Sequence, residues 1–590
     1  MFRNVAILVV TAVVVALPFI FRQPQSAANW RAGDPVLVIV TPHNEAIRYE
    51  FAEAFSSWHE KTYGKSVKID WRAIGGTTEI MRYIEGEYIA SFRAWWLRQG
   101  RRWPEGGGDM ILDSRFRADR PPEAAQSNAL ARAEWETRKD LHQTFRSKDD
   151  PEFFSCKIDL FFGGGAYDHG KCFGEGMTVA PWPPDKAPAE LFKTRDGAEL
   201  IPEGLSGEIW RTDAFFGTCL STFGICYNTD RLKDLHVADA PRRWEDLINP
   251  AFVGQLGVAD PTKSGSISKA FEMIVHEQCY RAVRGAGFTQ EQIEDFEAKF
   301  AKARVADGEV PEGVPTAYEQ AVERGWLAGV RLIQLMSANA RYFTDSASTV
   351  TIDVSMGNAA AGVAIDFYGR YQAEMSRKPD GTVPMVYITP AGGSSVSADP
   401  ISLMRGAEHR ELAVRFINFV LSEDGQKLWN YRPGTSGGPK KFALRRLPIR
   451  RDFYPSSDAQ VEARYQSHRP YTVDPLGDPA VDAYALGRDF QYHFRWTGRH
   501  FNVLRDLIRA MCLDSGEELR AAWRAIVAHG GPAANPQAMA ALQRMPDNPE
   551  PLTWVSTLSI GKRHDHLDYM RSWTIAFRQN YAEAGQLAGR

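Results

Sequence analysis

The chain has 590 residues, 44% of them hydrophobic, and its 70 Lys and Arg are nearly balanced by 73 Asp and Glu. That balance excludes a strongly polyelectrolyte-binding composition, so no nucleic-acid partner is expected. The length permits several domains of about 150 residues, each with a full core.

The first stretch, MFRNVAILVVTAVVVALPFIF, sets Arg3 before an apolar run from Val5 to Phe21 that is broken at Pro18 and followed by polar RQPQSAANW. This is the layout of a secretory signal. A run of about 17 apolar residues also reaches the lower limit for a spanning helix. Residues 1–29 therefore read as a signal peptide or N-terminal anchor. The remainder is expected in one extracytoplasmic compartment, periplasmic or extracellular, tethered to the membrane where the anchor is uncleaved.

Val36 to Val40 is a continuous apolar run, the pattern of a buried strand, and Ile47, Phe51, Phe55 and Trp58 follow at helical spacing. Between them lie Thr41-Pro42-His43-Asn44-Glu45, at the carboxyl end of a strand and the amino end of a helix, where free N–H groups favour an anion. Asn44 also suits an ordinary helix cap. VKIDWRAIGG reads as a second strand ending at Gly75-Gly76-Thr77, with a helix beginning there, and KIDLFFGGG as a third ending in glycines. Residues 86–150 are aromatic, arginine-rich and proline-punctuated, and read as a mostly helical insertion.

TCLSTFGICYNTDRL (218–232) is apolar and long, and TCLSTFGICYN within it reads as a strand. GQLGVAD stops at Asp260-Pro261-Thr262-Lys263-Ser264-Gly265-Ser266 before another helix, which repeats the strand-to-polar-turn device in a second lobe. GWLAGVRLIQLMSANARYF is an amphipathic helix. Ser346 or Ser348 caps a short helix ending near Gly357, and the strand AAGVAID leads into a turn with Asp366, Phe367 and Tyr368. MVYITPAGGSSVSADPISLM crosses back to the first lobe, and ELAVRFINFVLSEDGQKLWNY supplies closing helices. From about residue 450 the chain is arginine- and aromatic-rich and mostly helical.

Six cysteines in an exported chain suit disulfides without making it depend on them. Cys156 and Cys172 flank the glycine-rich loop and could staple it; Cys219 and Cys226, in an extended strand, would lie roughly 23 Å apart. Neither a CxxC pair nor an HExxH or GxSxG motif is present, so a structural zinc site and a secreted hydrolase are both disfavoured.

The ordered set TPHNEAIRYEFAEAF, IDLFFGGG, FGICYNTD, GVADPTKSGS, MGNAAAGVAIDFYGR and ELAVRFINFVLSEDGQKLW resembles the extracellular solute-binding proteins of ABC importers. It is nearest to the iron(III)-type branch, which also holds binders of phosphonates and phosphorylated organic acids. The resemblance covers about residues 35–440, without the 86–150 insertion or the tail. It implies an α/β, two-lobed type II periplasmic-binding fold, with ligand held between lobes that close over it and an ABC permease as partner. The organisation expected is lobe 1 over 30–220, lobe 2 over 221–385, a return to lobe 1 over 386–450 and a helical extension over 451–590, in a monomer.

Ferric-iron binders of this kind use a histidine in the first turn, a first-lobe acid and two adjacent tyrosines. Here His43 matches the first and Tyr368 one tyrosine, with Phe367 in the other place and glycines where the acid would stand. A metal role for His43 and Tyr368 applies only if ferric iron is the transported ligand, and no cofactor is expected. The alternative is an anion held by hydroxyls and amides of Gly76, Thr77, Ser264, Gly265, Ser266, Ser346 and Ser348, with His43, Asn44 and Tyr368 beside it and Asp366 receiving an amine of a zwitterion or capping its own turn. No catalysis is expected. A membrane-anchored sensor built on the same fold is the competing role.

Overall fold

The computed structural model describes residues 33–303 and 305–589; the segment read as signal or anchor lies outside them. Among the described residues no helix is long and apolar enough to cross a membrane.

Two sheets organise the two lobes. The first runs in the order Leu447–Pro448, Phe215–Ser221, Ser397–Met404, Leu160–Phe162, Val36–Val40, Lys68–Arg72, with Thr178–Val179 also pairing to Ser397–Met404. Val36–Val40 lies parallel to both Lys68–Arg72 and Leu160–Phe162, with Val36 opposite Lys68 and Ile39 opposite Leu160. The turns that follow these strands therefore open at one edge, where parallel α/β sheets place their ligands. The second sheet runs Ala340–Thr344, Leu256–Ala259, Ala361–Ile365, Phe223–Asn228, Met385–Ile388. Its first three strands are parallel, so the turns after residues 259, 344 and 365 share an edge.

The chain passes between the sheets twice. Phe215–Ser221 pairs in the first sheet and Phe223–Asn228 in the second, so the single strand expected over 218–228 is divided at Thr222. Met385–Ile388 and Ser397–Met404 make the return crossing. Other differences are local. The helix at Thr77 continues to Arg98, so the sequence has no structural break at residue 86. Asp366, Phe367 and Tyr368 are the first residues of a helix, Asp366–Met375, rather than a free turn. ARYFT, read as the end of a helix, is the strand Ala340–Thr344, because pairing with Leu256–Ala259 outweighs helical propensity. All six cysteines are free and buried. The staple expected between Cys156 and Cys172 is not formed: the Cys172 thiol packs against the Met81 sulfur at 3.3 Å, and the Cys156 thiol faces the Ile158 carbonyl at 3.8 Å.

In the second lobe the helices Gly265–Gly285 and Thr316–Ala338 pack in close contact. A Cβ on Gly325 would fall 2.3 Å from the Cys279 Cα, and one on Gly329 would fall 2.5 Å from the Val275 Cα. Glycine at two positions one turn apart is what lets the backbones approach. Thr316–Ala338 is buried on nearly every face, which requires cover on the side away from the sheet.

The extension supplies it. Trp523 donates to the Asn339 side chain at 2.7 Å, and Gln334 donates to the Leu542 carbonyl at 2.9 Å and the Tyr581 hydroxyl at 2.8 Å. Arg495 joins Glu297 at 2.6 Å and Glu319 at 2.8 Å. The earlier part of the extension lies against the first lobe, where Tyr484 donates to the Ile449 carbonyl at 2.6 Å and Asn430 donates to Asp474 at 3.0 Å.

Candidate ligand site between the lobes

The first strand stops at Val40, and Thr41 accepts the His43 N–H on its hydroxyl at 3.1 Å. Asn44 caps the following helix, accepting the Ile47 N–H at 3.1 Å. The turn is thus fixed by side-chain-to-backbone bonds, and His43 is directed inward. Its ring meets Phe162 edge-on at 4.6 Å, and a Cβ on Gly163 would come within 2.5 Å of Nε2. Gly163, at φ +91°, is therefore the residue that leaves room for the imidazole. Both ring nitrogens are buried without a hydrogen-bond partner. Burial lowers the pKa and outweighs the Asp399 carboxylate, which stands 3.9 Å from Nε2, so the ring is neutral.

Asp399 comes from the returning strand. It pairs at 2.7 Å with Arg446, whose guanidinium also donates to Ser221 at 2.6 Å. Ser221 ends the first-sheet half of the crossing, and Arg446 precedes the edge strand at residue 447. The Arg446 side chain is fully buried, with its guanidinium 4.6 Å from the Phe367 ring centre. Its Nε and Nη1 have no partner. Burial works against both charges, but their mutual attraction prevails: Asp399 is held below the usual carboxylate range and Arg446 above its ordinary value. Phe367 belongs to the second lobe, so the guanidinium is shared between lobes.

Asp366 lies next to it. Its N–H donates to the Thr222 carbonyl at 2.9 Å, one residue from Ser221. Oδ1 accepts the Phe367 N–H at 2.7 Å, and Oδ2 is buried without a partner. Burial pushes this carboxyl up to about 6, with Arg370 and Arg446 offsetting part of the effect. Tyr368, whose ring is tilted against Phe367 with centres 4.4 Å apart, is likewise raised by burial.

The other residues singled out from sequence divide into two groups. Gly76 and Thr77 meet the opposite lobe: a Cβ on Gly76 would lie 3.4 Å from the Lys263 carbonyl oxygen, and one on Gly265 would lie 3.0 Å from the Thr77 hydroxyl. Ser264 accepts the Ile267 N–H at 3.4 Å and has Ser266 at 3.2 Å. Ser346 accepts the Ser348 N–H at 3.3 Å, and their hydroxyls are 2.8 Å apart. Asn44, Ser264 and Ser346 thus have capping bonds that need no ligand. His43, Asp366 and Tyr368 converge with Arg446, Asp399 and Ser221, which the sequence reading had not selected. The signal for Arg446 was its place in LRRLPI, a charged pair inside an apolar run. Among the described residues, no three His, Cys, Asp or Glu side chains are grouped to hold a metal.

Residues 211–444 match the family described as bacterial extracellular solute-binding protein. An uncharacterized protein of Haemophilus influenzae is 22% identical over 209 residues, 35% of this chain; the chain spans 45% of that relative's length. Among solved structures, the periplasmic binding protein AfuA of Actinobacillus pleuropneumoniae with fructose-6-phosphate bound is 14% identical, covering 81% of this chain and 98% of its own, with a TM-score of 0.43. Iron-bound HitA of Pseudomonas aeruginosa is 15% identical, covering 77% and 99%, with a TM-score of 0.36.

Asp366 yields a stability prediction. A folded-state pKa of about 6 against an ordinary 3.8 means that the folded protein holds this proton more tightly. The stabilisation linked to that proton is complete below the unfolded value and is lost as pH rises through the folded one. Asp366→Asn should therefore gain about 1–3 kcal/mol relative to the parent between pH ~4 and pH ~7.5. Urea unfolding at both pH values measures the gain, and an unchanged difference would show that the carboxyl is not held in an unfavourable setting.

Proposed function

We propose that this chain is the extracytoplasmic solute-binding component of an ABC importer, and that it captures a small anion between its lobes for delivery to the permease. The observation that carries the choice of ligand is Arg446: a buried guanidinium, shared by both lobes, with two N–H groups left unpaired. Unpaired buried donors cost about 1–3 kcal/mol each, and a carboxylate, phosphate or phosphonate would satisfy both at once. The neutral His43 ring adds a donor, and Tyr368 adds a hydroxyl. The sugar-phosphate ligand of AfuA is of this chemical class.

Ferric iron fits less well, although the HitA structure is iron-bound. Phenolate and carboxylate oxygens favour a hard trivalent cation, whereas a fixed guanidinium repels it, and Phe367 occupies the place of a second tyrosine. A thermal-shift titration of the whole extracytoplasmic chain compares the two. At 100 times its dissociation constant an anion should add about 2.7 kcal/mol to stability, and ferric iron should add nothing. Stabilisation by iron alone, with a visible phenolate charge-transfer band, would reject the anion reading.

A further inference from the structure

We propose that the captured solute is a zwitterion, with its anionic group on Arg446 and a protonated amine on Asp366. This rests on the anion reading above and adds to it the second half of the ligand.

Two buried groups of opposite charge are left incomplete side by side. Arg446 has free Nε–H and Nη1–H, and Asp366 has a free Oδ2. They are held by adjacent residues of the crossing segment: Ser221 accepts from the guanidinium, and the Thr222 carbonyl accepts the Asp366 N–H. The neighbours of Asp366 leave its Oδ2 unbonded. Arg370 turns Nη1 to Asp474 at 3.5 Å and leaves its own Nε without a partner, the Tyr387 hydroxyl donates to the Thr222 carbonyl at 3.1 Å, and Thr222 and Thr389 share a hydrogen bond at 2.8 Å.

The pairing of charges points the same way. Asp399 is taken by Arg446, and Asp474 by Arg370 and Arg445. Asp366 makes no ion pair among the described residues. A simple anion seated on Arg446 would bring a second negative charge beside this buried carboxyl, which low-dielectric surroundings penalise. An ammonium on the same ligand removes the repulsion and fills the free oxygen. Without it, Asp366 must take a proton from water when the anion binds.

Matched probes test this on the whole extracytoplasmic chain: phosphoethanolamine against ethyl phosphate, and β-alanine against propionate, titrated by calorimetry in two buffers of different ionisation enthalpy. A charge-assisted bond to Asp366 should make the amine-bearing member of at least one pair bind about ten-fold tighter or better, with no proton taken up. Asp366→Asn should bring that pair to near-equal affinity. Because the comparison within each pair is made on the unaltered protein, it holds even if the variant folds poorly. Equal or tighter binding of the deaminated members overturns the zwitterion while leaving the anion reading intact. Binding of none of the four at millimolar concentration overturns both.

Discussion

Arg446→Met is expected to lower the unfolding free energy by about 3–5 kcal/mol, the usual cost of removing one partner from a buried ion pair, and to abolish anion binding. The guanidinium is fully enclosed, and the Asp399 side chain is only 14% exposed. Methionine fills similar volume, so the loss is electrostatic rather than a cavity. It strands the Asp399 carboxylate, whose depressed pKa depends on the guanidinium. It also leaves the Ser221 hydroxyl without its charged donor. Adding Asp399→Leu removes the stranded charge and should recover much of the stability, since apolar replacements of buried pairs are often neutral. Binding should not return. Equilibrium unfolding of the two variants, with anion titration of each, separates the roles. A double variant that is stable and still binds would place the solute elsewhere.

Ending the chain after residue 450 is expected to prevent folding of the second lobe as well as loss of the extension. Trp523, Trp554, Trp573 and Phe577 are buried, and each fully buried large apolar side chain contributes about 1.5–3 kcal/mol. Their removal, with the apolar face of Thr316–Ala338 laid open, approaches the whole net stability of a domain, about 5–15 kcal/mol. Polar groups add to the loss. Gln334 and Asn339 lose side-chain partners in the extension, and Glu297 and Glu319 both lose Arg495. Circular dichroism and gel filtration of the truncated chain should report an aggregated or partly unfolded product. A soluble product with a cooperative unfolding transition would show that the extension is an appendage.

The two-lobed plan was legible because its signals are local. Val36–Val40, Leu256–Ala259 and Ala361–Ile365 are apolar runs that each end in a polar junction. The crossings were legible as apolar stretches long enough to serve two sheets. Ala340–Thr344 was not, because a strand of ARYFT directly after a long helix depends on its partner at Leu256–Ala259 rather than on any pattern of its own. The candidate site was half legible. His43 and Asp366 stand at strand-to-helix junctions, where position alone suggests a role. Arg446 and Asp399 stand inside the return segment and become neighbours of His43 only after the second crossing, so no spacing rule links them. The hydroxyl turns were the converse case: Ser264 and Ser346 have the chemistry of an anion site, but their hydrogen bonds are those of helix caps.

The most direct test is a crystal structure of the protein grown with arsenate, with the anion located by its anomalous signal. A peak within hydrogen-bond distance of Arg446 Nε and Nη1, with second-lobe Phe367 and first-lobe His43 on either side, is the predicted result. A peak confined to the Gly76–Thr77 and Ser264–Ser266 turns, with Arg446 untouched, would contradict it.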